Sequence, residues 1–457
     1  MGKLPILVVY SYGMNTVFST IQDFNQAFSS SLSFTPTLSV TDNKLLRDGA
    51  IDLIVYNALF SPSDDVREHA QTLIYQLSEL LYAHPCSLFS MYQAFGTNEL
   101  RGFTTPALNV RMLTYDIARS VFRLMNTKKI GAVIFEISRT EMIYTDQSPK
   151  QYAVCVLAAA IKEGYEGPVF LQGDHFQFDK IAFAENQEKE VSQLKALISQ
   201  TITAKFYNID IDASTLVDLM QPSVVDQQRL NAQMTAHLSE YIRKIQPPEE
   251  KISIGAEIGH IGDKNSTSDD LHAFLELYQQ LQTNDGISKV SVQTGSSHGG
   301  TLLPDGTLKK VVIDFSVLRE ISMIAKRDYH FGGSVQHGAS TLPDSDFDKF
   351  AENETLEIHL ATGIQNIAYK NLPPEITKEL SDWTLKQREG NFLDETQEQY
   401  VYKTRKKALG PFKKLLWDMS EDDKLKVSKA VEDHLLFIFE KLRIFETRDK
   451  ILPYYIK

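Results

Sequence analysis

Eight short β-rich runs, each followed by a stretch with helical period, narrow the folds open to this chain more than any other feature. They fall at residues 107–110, 132–137, 169–172, 205–209, 252–257, 289–293, 333–336 and 363–368. Between them, segments such as 114–125, 150–162 and 268–281 repeat apolar residues at helical spacing. Such alternation implies parallel strands, because each strand returns to the same end of the sheet through a crossover helix. Eight units predict an α/β fold of the (β/α)8 TIM barrel type, with an open doubly wound sheet as the structural alternative.

The residues that end these runs favour the barrel. In order they are Asn109, Glu136, Asp174 with His175, Asp212, Glu257, His298 shortly after the sixth run, His337 and Asn366. The strand bodies are apolar, so the polar groups gather at one mouth, which is where barrel enzymes build their sites. Burying so many polar groups is costly unless they are paired or metal-bound.

A barrel needs about 250 residues, and this chain has 457. The barrel is assigned to residues 86–372. Residues 1–85 read as a small N-terminal α/β appendage, with β-like runs at 5–10 and 51–56 and a helix over 66–82 capped by Ser63 or Asp64. Residues 373–457 read as a helical extension. There Ser420 opens a helix whose Val431, Leu435, Ile438 and Leu442 share a packing face. The basic residues Arg405, Lys406, Lys407, Lys413 and Lys414 read as a solvated face.

Charge and cysteine content exclude several classes. Lys and Arg number 47 against 59 Asp and Glu, and the net charge of −12 argues against nucleic acid or a membrane surface as partner. Two cysteines, Cys86 and Cys155, suit a reducing compartment, with Cys155 a buried thiol in a helical run. The apolar start is short and runs into Tyr10-Ser11-Tyr12-Gly13, so it reads as a strand and not a signal peptide. No run approaches 18 apolar residues, and the expected location is the cytoplasm.

The histidines carry the chemistry. His175, His298 and His337 all end strands at one mouth, and three imidazoles around an open position form a common catalytic zinc arrangement. Gly299 and Gly338 adjoin two of them and would let backbone approach a ligand closely. His260 and His330 lack this setting and read as structural. Asp174, beside His175, either acts as an acid or base or orients a histidine.

In one order along the chain, these motifs resemble the class II, metal-dependent fructose-bisphosphate aldolase family over residues 100–370. The segments Pro106-Ala107-Leu108-Asn109-Val110 and Gly173-Asp174-His175 are similar to the family's opening and metal-ligand strands. Asp212-Ala213-Ser214 and Gly255-Ala256-Glu257-Ile258-Gly259 match its fourth and fifth strand ends. Gly295-Ser296-Ser297-His298-Gly299 and Gln336-His337-Gly338-Ala339-Ser340 resemble its other ligand motifs, and Gly363-Ile364-Gln365-Asn366 its final strand.

The resemblance implies that His175, His298 and His337 hold a zinc or another divalent transition metal. Glu257 would be an alternative ligand, and Asp212 would stand near a possible second cation. It implies Asp174 as acid or base on the aldehyde half, with Asn109, Gly299, Gly338, Ser340 and Asn366 holding the sugar phosphate. The metal would act as a Lewis acid on the donor's carbonyl and enediolate oxygens. Three departures stand out. The loop 259–266 lacks a glutamate, leaving Asp263 or His260 to abstract the donor proton; Tyr369 and Lys370 replace the usual phosphate pattern; and Ala339 stands where a second glycine is common.

The leading expectation is a lyase splitting a ketose phosphate, best fructose 1,6-bisphosphate, into dihydroxyacetone phosphate and glyceraldehyde 3-phosphate. The alternatives are an aldolase for a tagatose-type or less phosphorylated sugar, and a non-catalytic barrel subunit supporting a partner enzyme. The expected partners are a small sugar phosphate and a second copy in a homodimer, with no nucleic acid and no membrane.

Overall fold

The computed structural model describes residues 15–259, 264–295, 302–303, 307, 312–390 and 395–455. Its barrel strands are β1 (Thr105–Asn109), β2 (Ile134–Ser138), β3 (Gly167–Gln177), β4 (Asn208–Asp212), β5 (Ser253–Glu257), β6 (Lys289–Val292), β7 (Ser334–Gln336) and β8 (Glu357–Leu360). Every neighbouring pair is parallel. Leu360 of β8 lies beside Leu108 of β1, and the β3–β4 pairing completes the ring. The open-sheet alternative is thereby excluded. A short strand, Ala83–Pro85, adds to the start of β3, with Ala83 beside Gly167.

Helices α1 (Ile51–Phe60), α2 (Asp64–Leu80), α3 (Thr114–Thr127), α4 (Pro149–Lys162), α5 (Thr362–Asn371) and α6 (Glu421–Lys441) surround or flank the ring. Their starts are written locally. The side chains of Ser63 and Ser420 accept the Val66 and Asp423 N–H groups, and Ser148 forms a reciprocal cap with Gln151 ahead of Pro149. Helices α1 and α2 pack on α4, while α6 packs on α3 and α5, so both flanks share the barrel's apolar core. Val431, Leu435, Ile438 and Leu442 are buried there. Cys155 is buried in α4, and neither cysteine is in a disulfide. Among the described residues, no helix is long and apolar enough to cross a membrane.

Two β-like runs prove helical. Residues 51–56 lie in α1, continuing turns that start from the Asp42 cap. Ile51, Leu53, Ile54, Val55 and Tyr56 are all buried, and an apolar run buried on every side shows no period that separates helix from strand. The described part of the N-terminal segment is therefore mainly helical, with a two-residue hairpin at Leu32–Ser33 and Ser39–Val40. The run 5–10 lies outside the described residues.

The second correction bears on the site. Residues 363–368 belong to α5, and the eighth strand is Glu357–Leu360. Ile364, Ile367 and Ala368 follow helical spacing, and Gly363 lets α5 start tight against the turn that follows β7. A Cβ there would stand 2.2 Å from the Ser340 carbonyl oxygen.

Candidate metal and active site

A bulge in β3 builds the centre of the site. The register against β4 shifts between Gly173 and Phe176, and His175 takes a φ of +44°. That backbone region costs a non-glycine residue about 1–2 kcal/mol. Along a regular strand, Asp174 and His175 would face opposite ways. The bulge re-aims them, and both line one pocket at the C-terminal mouth.

His337, from the end of β7, meets His175 there, with ring centres 4.0 Å apart. His175 Nδ1 lies 3.0 Å from Asp212 Oδ2 and 3.3 Å from Glu257 Oε2, which turns Nε2 toward His337 Nδ1. His337 Nε2 is held by Ser291 Oγ at 2.9 Å. Each ring thus has one nitrogen fixed by a partner and the other aimed at a shared point, the way metal-binding histidines are oriented. Donor atoms of Asp174, His175 and His337 lie within 4.8 Å of one another, as do those of His175, Asp212 and Glu257. Imidazole nitrogens with three carboxylates suit zinc or a similar divalent ion, which would also neutralise the acidic excess.

The electrostatics reflect this crowding. Burial would push His175 down, but Asp174, Glu257 and Asp212 raise it well above an ordinary histidine. Burial, followed by Asp212, pushes Glu257 up to about 7. Burial would also raise Asp174, but His175, His359 and the Asn109 amide hold it well below the usual carboxylate range. Asp212 is held low despite burial, by His175 and by Ser214, whose N–H and hydroxyl donate to Oδ1 at 3.0 and 2.7 Å.

Asn109, at the end of β1, ties the acid to the pocket wall. Its amide donates to Asp174 Oδ2 at 2.8 Å and to Glu141 Oε2 at 2.9 Å. Glu141 accepts in turn from Arg111 Nε at 2.5 Å.

His359 in β8 was not anticipated from the sequence. Its Nδ1 is 3.1 Å from both Asp174 Oδ1 and Glu136 Oε1, and its ring stacks on His337 at 4.1 Å. Below it, the barrel interior is charged. Lys289 Nζ reaches Glu357, Gln172 and Asp210 at 2.6, 2.8 and 2.9 Å, and Glu357 also accepts from Tyr92. Burial, followed by Asp174, raises Glu136 to about 8. Gly255 makes room for this layer, since a Cβ there would stand 2.3 Å from Asp210 Oδ1.

The structure brings Asn109, Asp174, His175, His337, Gly338 and Ser340 together in the pocket, with Asp212 and Glu257 touching His175. It does not place Asn366 among them. That residue rides on α5, bonded to Tyr402 and Arg405 at 3.1 and 2.6 Å. His298, Gly299, Asp263 and His260 lie outside the described residues. His330 ends a helix in the left-handed conformation.

Arg111, Glu141, Thr362 and Lys406 also line the pocket and were not singled out as site residues. The basic cluster is not simply solvated. Lys406 faces the pocket, Arg405 lies over the Tyr369 and Tyr402 rings, and Lys413 donates to Asp146 and Gln151. A usable signal for His359 was present, because Glu357-Ile358-His359-Leu360 alternates polar and apolar with strand period.

Residues 90–417 match the family model for fructose-bisphosphate aldolase class-II. The chain belongs to that family. No curated protein sequence matches it significantly. Among solved structures, this class II aldolase family member is similar to the fructuronate-tagaturonate epimerase UxaE from Cohnella laeviribosi. The TM-score is 0.54 at 13% identity, covering 91% of this chain and 90% of that one. It is also similar to a probable tagatose 6 phosphate kinase from Sinorhizobium meliloti 1021, with a TM-score of 0.53, 12% identity, and coverage of 74% and 99%. The YdjI aldolase from Escherichia coli K12 gives a TM-score of 0.48 at 15% identity, over 80% and 99% of the two chains.

Proposed function

We propose that the protein is a metal-dependent aldolase that reversibly cleaves a ketose phosphate into dihydroxyacetone phosphate and an aldehyde. Fructose 1,6-bisphosphate, which would give glyceraldehyde 3-phosphate, is the first substrate to test. The observation that carries the reading is the convergence of His175 and His337, with Glu257 and Asp212 behind them, on the pocket that Asp174 lines. His175 and His337, with His298 as a third ligand, would hold a zinc or similar ion, which would supply a Lewis acid for the donor's carbonyl. Its place in the same pocket supports Asp174 as the group that would hold the proton moving to or from the hydroxyl of the aldehyde half. Asn109 orients that carboxylate, and Ser340 and Gly338 offer polar contacts to the substrate chain. Asp263 remains the candidate for abstracting the donor proton.

A tagatose-type or less phosphorylated sugar is the second reading. It is favoured by Asn366, which the resemblance assigned to the substrate and which is engaged by Tyr402 and Arg405. Residues 86–372 would be the catalytic barrel, and the enzyme would work in the cytoplasm as a homodimer.

Solvent deuterium exchange into dihydroxyacetone phosphate, followed by NMR with and without a chelator, tests the donor half without choosing an aldehyde. Metal-dependent exchange is expected. Its absence in protein shown to contain metal would overturn the reading in favour of another donor or of the non-catalytic subunit.

A further inference from the structure

Lys406 brings a cation from the C-terminal segment into the pocket wall. It sits in the short turn Arg405–Ala408 and shares the pocket with Arg111, Glu141, Tyr144 and Asp174. Its ammonium lies 5.4 Å from the centre of the Tyr144 ring, and no carboxylate among the described residues forms an ion pair with it. Burial and the nearby Arg111 push its pKa down, against a smaller opposing pull from Glu141. A half-buried ammonium in this position is unfavourable unless an anion completes its surroundings.

The charge balance indicates which anion. Arg111 is already committed, with Nε on Glu141 at 2.5 Å and Nη1 on Gln365 at 3.1 Å. Two cations and the Glu141 carboxylate leave a single positive charge. A phosphate dianion would add surplus negative charge beside Glu141, whereas a carboxylate balances the subsite. Ser138, Thr140 and Tyr144 supply hydroxyls around it. The subsite adjoins the acid, since the Asn109 amide donates both to Glu141 and to Asp174, at 2.9 and 2.8 Å.

We propose that Lys406, beside the Arg111–Glu141 pair, forms a subsite for one carboxylate on the substrate's aldehyde half. The proposal rests on the aldolase reading in its less phosphorylated form. It makes the substrate a ketose 1-phosphate that ends in an acid group.

Calorimetric titration of the metal-loaded protein, first saturated with dihydroxyacetone phosphate to occupy the donor and metal site, with glycerate, glycerol 3-phosphate and glycerol tests it, with dihydroxyacetone phosphate exchange measured in parallel. Glycerate is expected to bind more tightly than the other two. Lys406→Met should weaken glycerate by roughly tenfold or more, and Lys406→Arg should retain most of the affinity. Tighter binding of glycerol 3-phosphate, binding of neither anion, or unchanged glycerate affinity in Lys406→Met would each overturn the assignment. The preference of the unaltered protein decides the matter if Lys406→Met does not fold. Exchange without glycerate preference overturns the carboxylate subsite alone. Glycerate binding through Lys406 without exchange upholds the subsite and removes the aldolase reading.

Discussion

His359 Nδ1 stands 3.1 Å from Asp174 Oδ1, while its Nε2 stands 2.7 Å from Glu357 Oε1. One ring therefore joins the carboxylate at the mouth to the charged layer inside the barrel. Burial alone would lower the pKa of His359, but Glu136 and Asp174 raise it well above the ordinary value. The ring is a shared cation for the buried Asp174 and Glu357 carboxylates, beside Glu136, whose carboxyl burial raises to about 8.

Removing that cation should leave the Asp174 and Glu357 carboxylates buried without their shared partner. His359→Gln is expected to lower stability by about 3–5 kcal/mol, the usual cost of stripping one partner from a buried ion pair. Urea denaturation of both proteins measures this. A difference under about 1 kcal/mol would mean that His359 is not holding these charges together.

His337→Ala should lose bound metal and exchange activity together, because only one described imidazole would then remain at the shared point. Metal analysis after dialysis, paired with the exchange assay, checks this. Full metal occupancy in the variant would remove His337 from the ligand set. Thorough chelation of the unaltered protein should likewise abolish exchange.

Asp174→Asn separates metal binding from proton transfer. The amide keeps the shape and the position beside Asn109 but has no proton to exchange as an acid. Metal content and donor exchange should persist, while carbon–carbon cleavage falls by about 10²–10⁴-fold. Cleavage at the unaltered rate would reduce Asp174 to a group that merely orients its neighbours.

Asp116 gives a pH prediction remote from the metal. Burial pushes its carboxyl up to about 6, with Lys424 and Arg119 pulling the other way. A folded-state value above the unfolded one means that its contribution is full below the unfolded value, near 4, and is lost as pH rises through about 6. The ionised group then costs about 3 kcal/mol at neutral pH. Asp116→Asn should therefore be more stable than the unaltered protein at pH 7 and lose the advantage by pH 4. Denaturation midpoints across that range test it, and parallel curves for the two proteins would contradict it.

Gly363→Ala should destabilise the α5 start, since the new Cβ would meet the Ser340 carbonyl oxygen at 2.2 Å. A loss of about 1–3 kcal/mol is expected for overpacking against backbone. A thermal midpoint unchanged from the unaltered protein would show that the loop yields freely.

The sequence by itself determined an α/β fold of eight parallel units, because strand–helix alternation leaves parallel strands few ways to pair; closure into a barrel was decided by the β8–β1 and β3–β4 pairings. It also marked Asp174, His175, Glu257 and His337, since polar residues ending apolar strands must meet at one mouth. Helix starts were legible at Ser63 and Ser420, where a side chain satisfies N–H groups within the next turn. Residues 51–56 were not, because uniform burial erases the period. Nor was the last strand, because a short run of apolar residues around 363–368 fits either element until packing decides. Only the tertiary structure showed that a bulge turns Asp174 and His175 the same way, that His359 bridges mouth and core, and that Lys406 enters the pocket from outside the strand pattern. Those relationships join residues far apart along the chain, and local sequence period carries no information about which distant side chains meet.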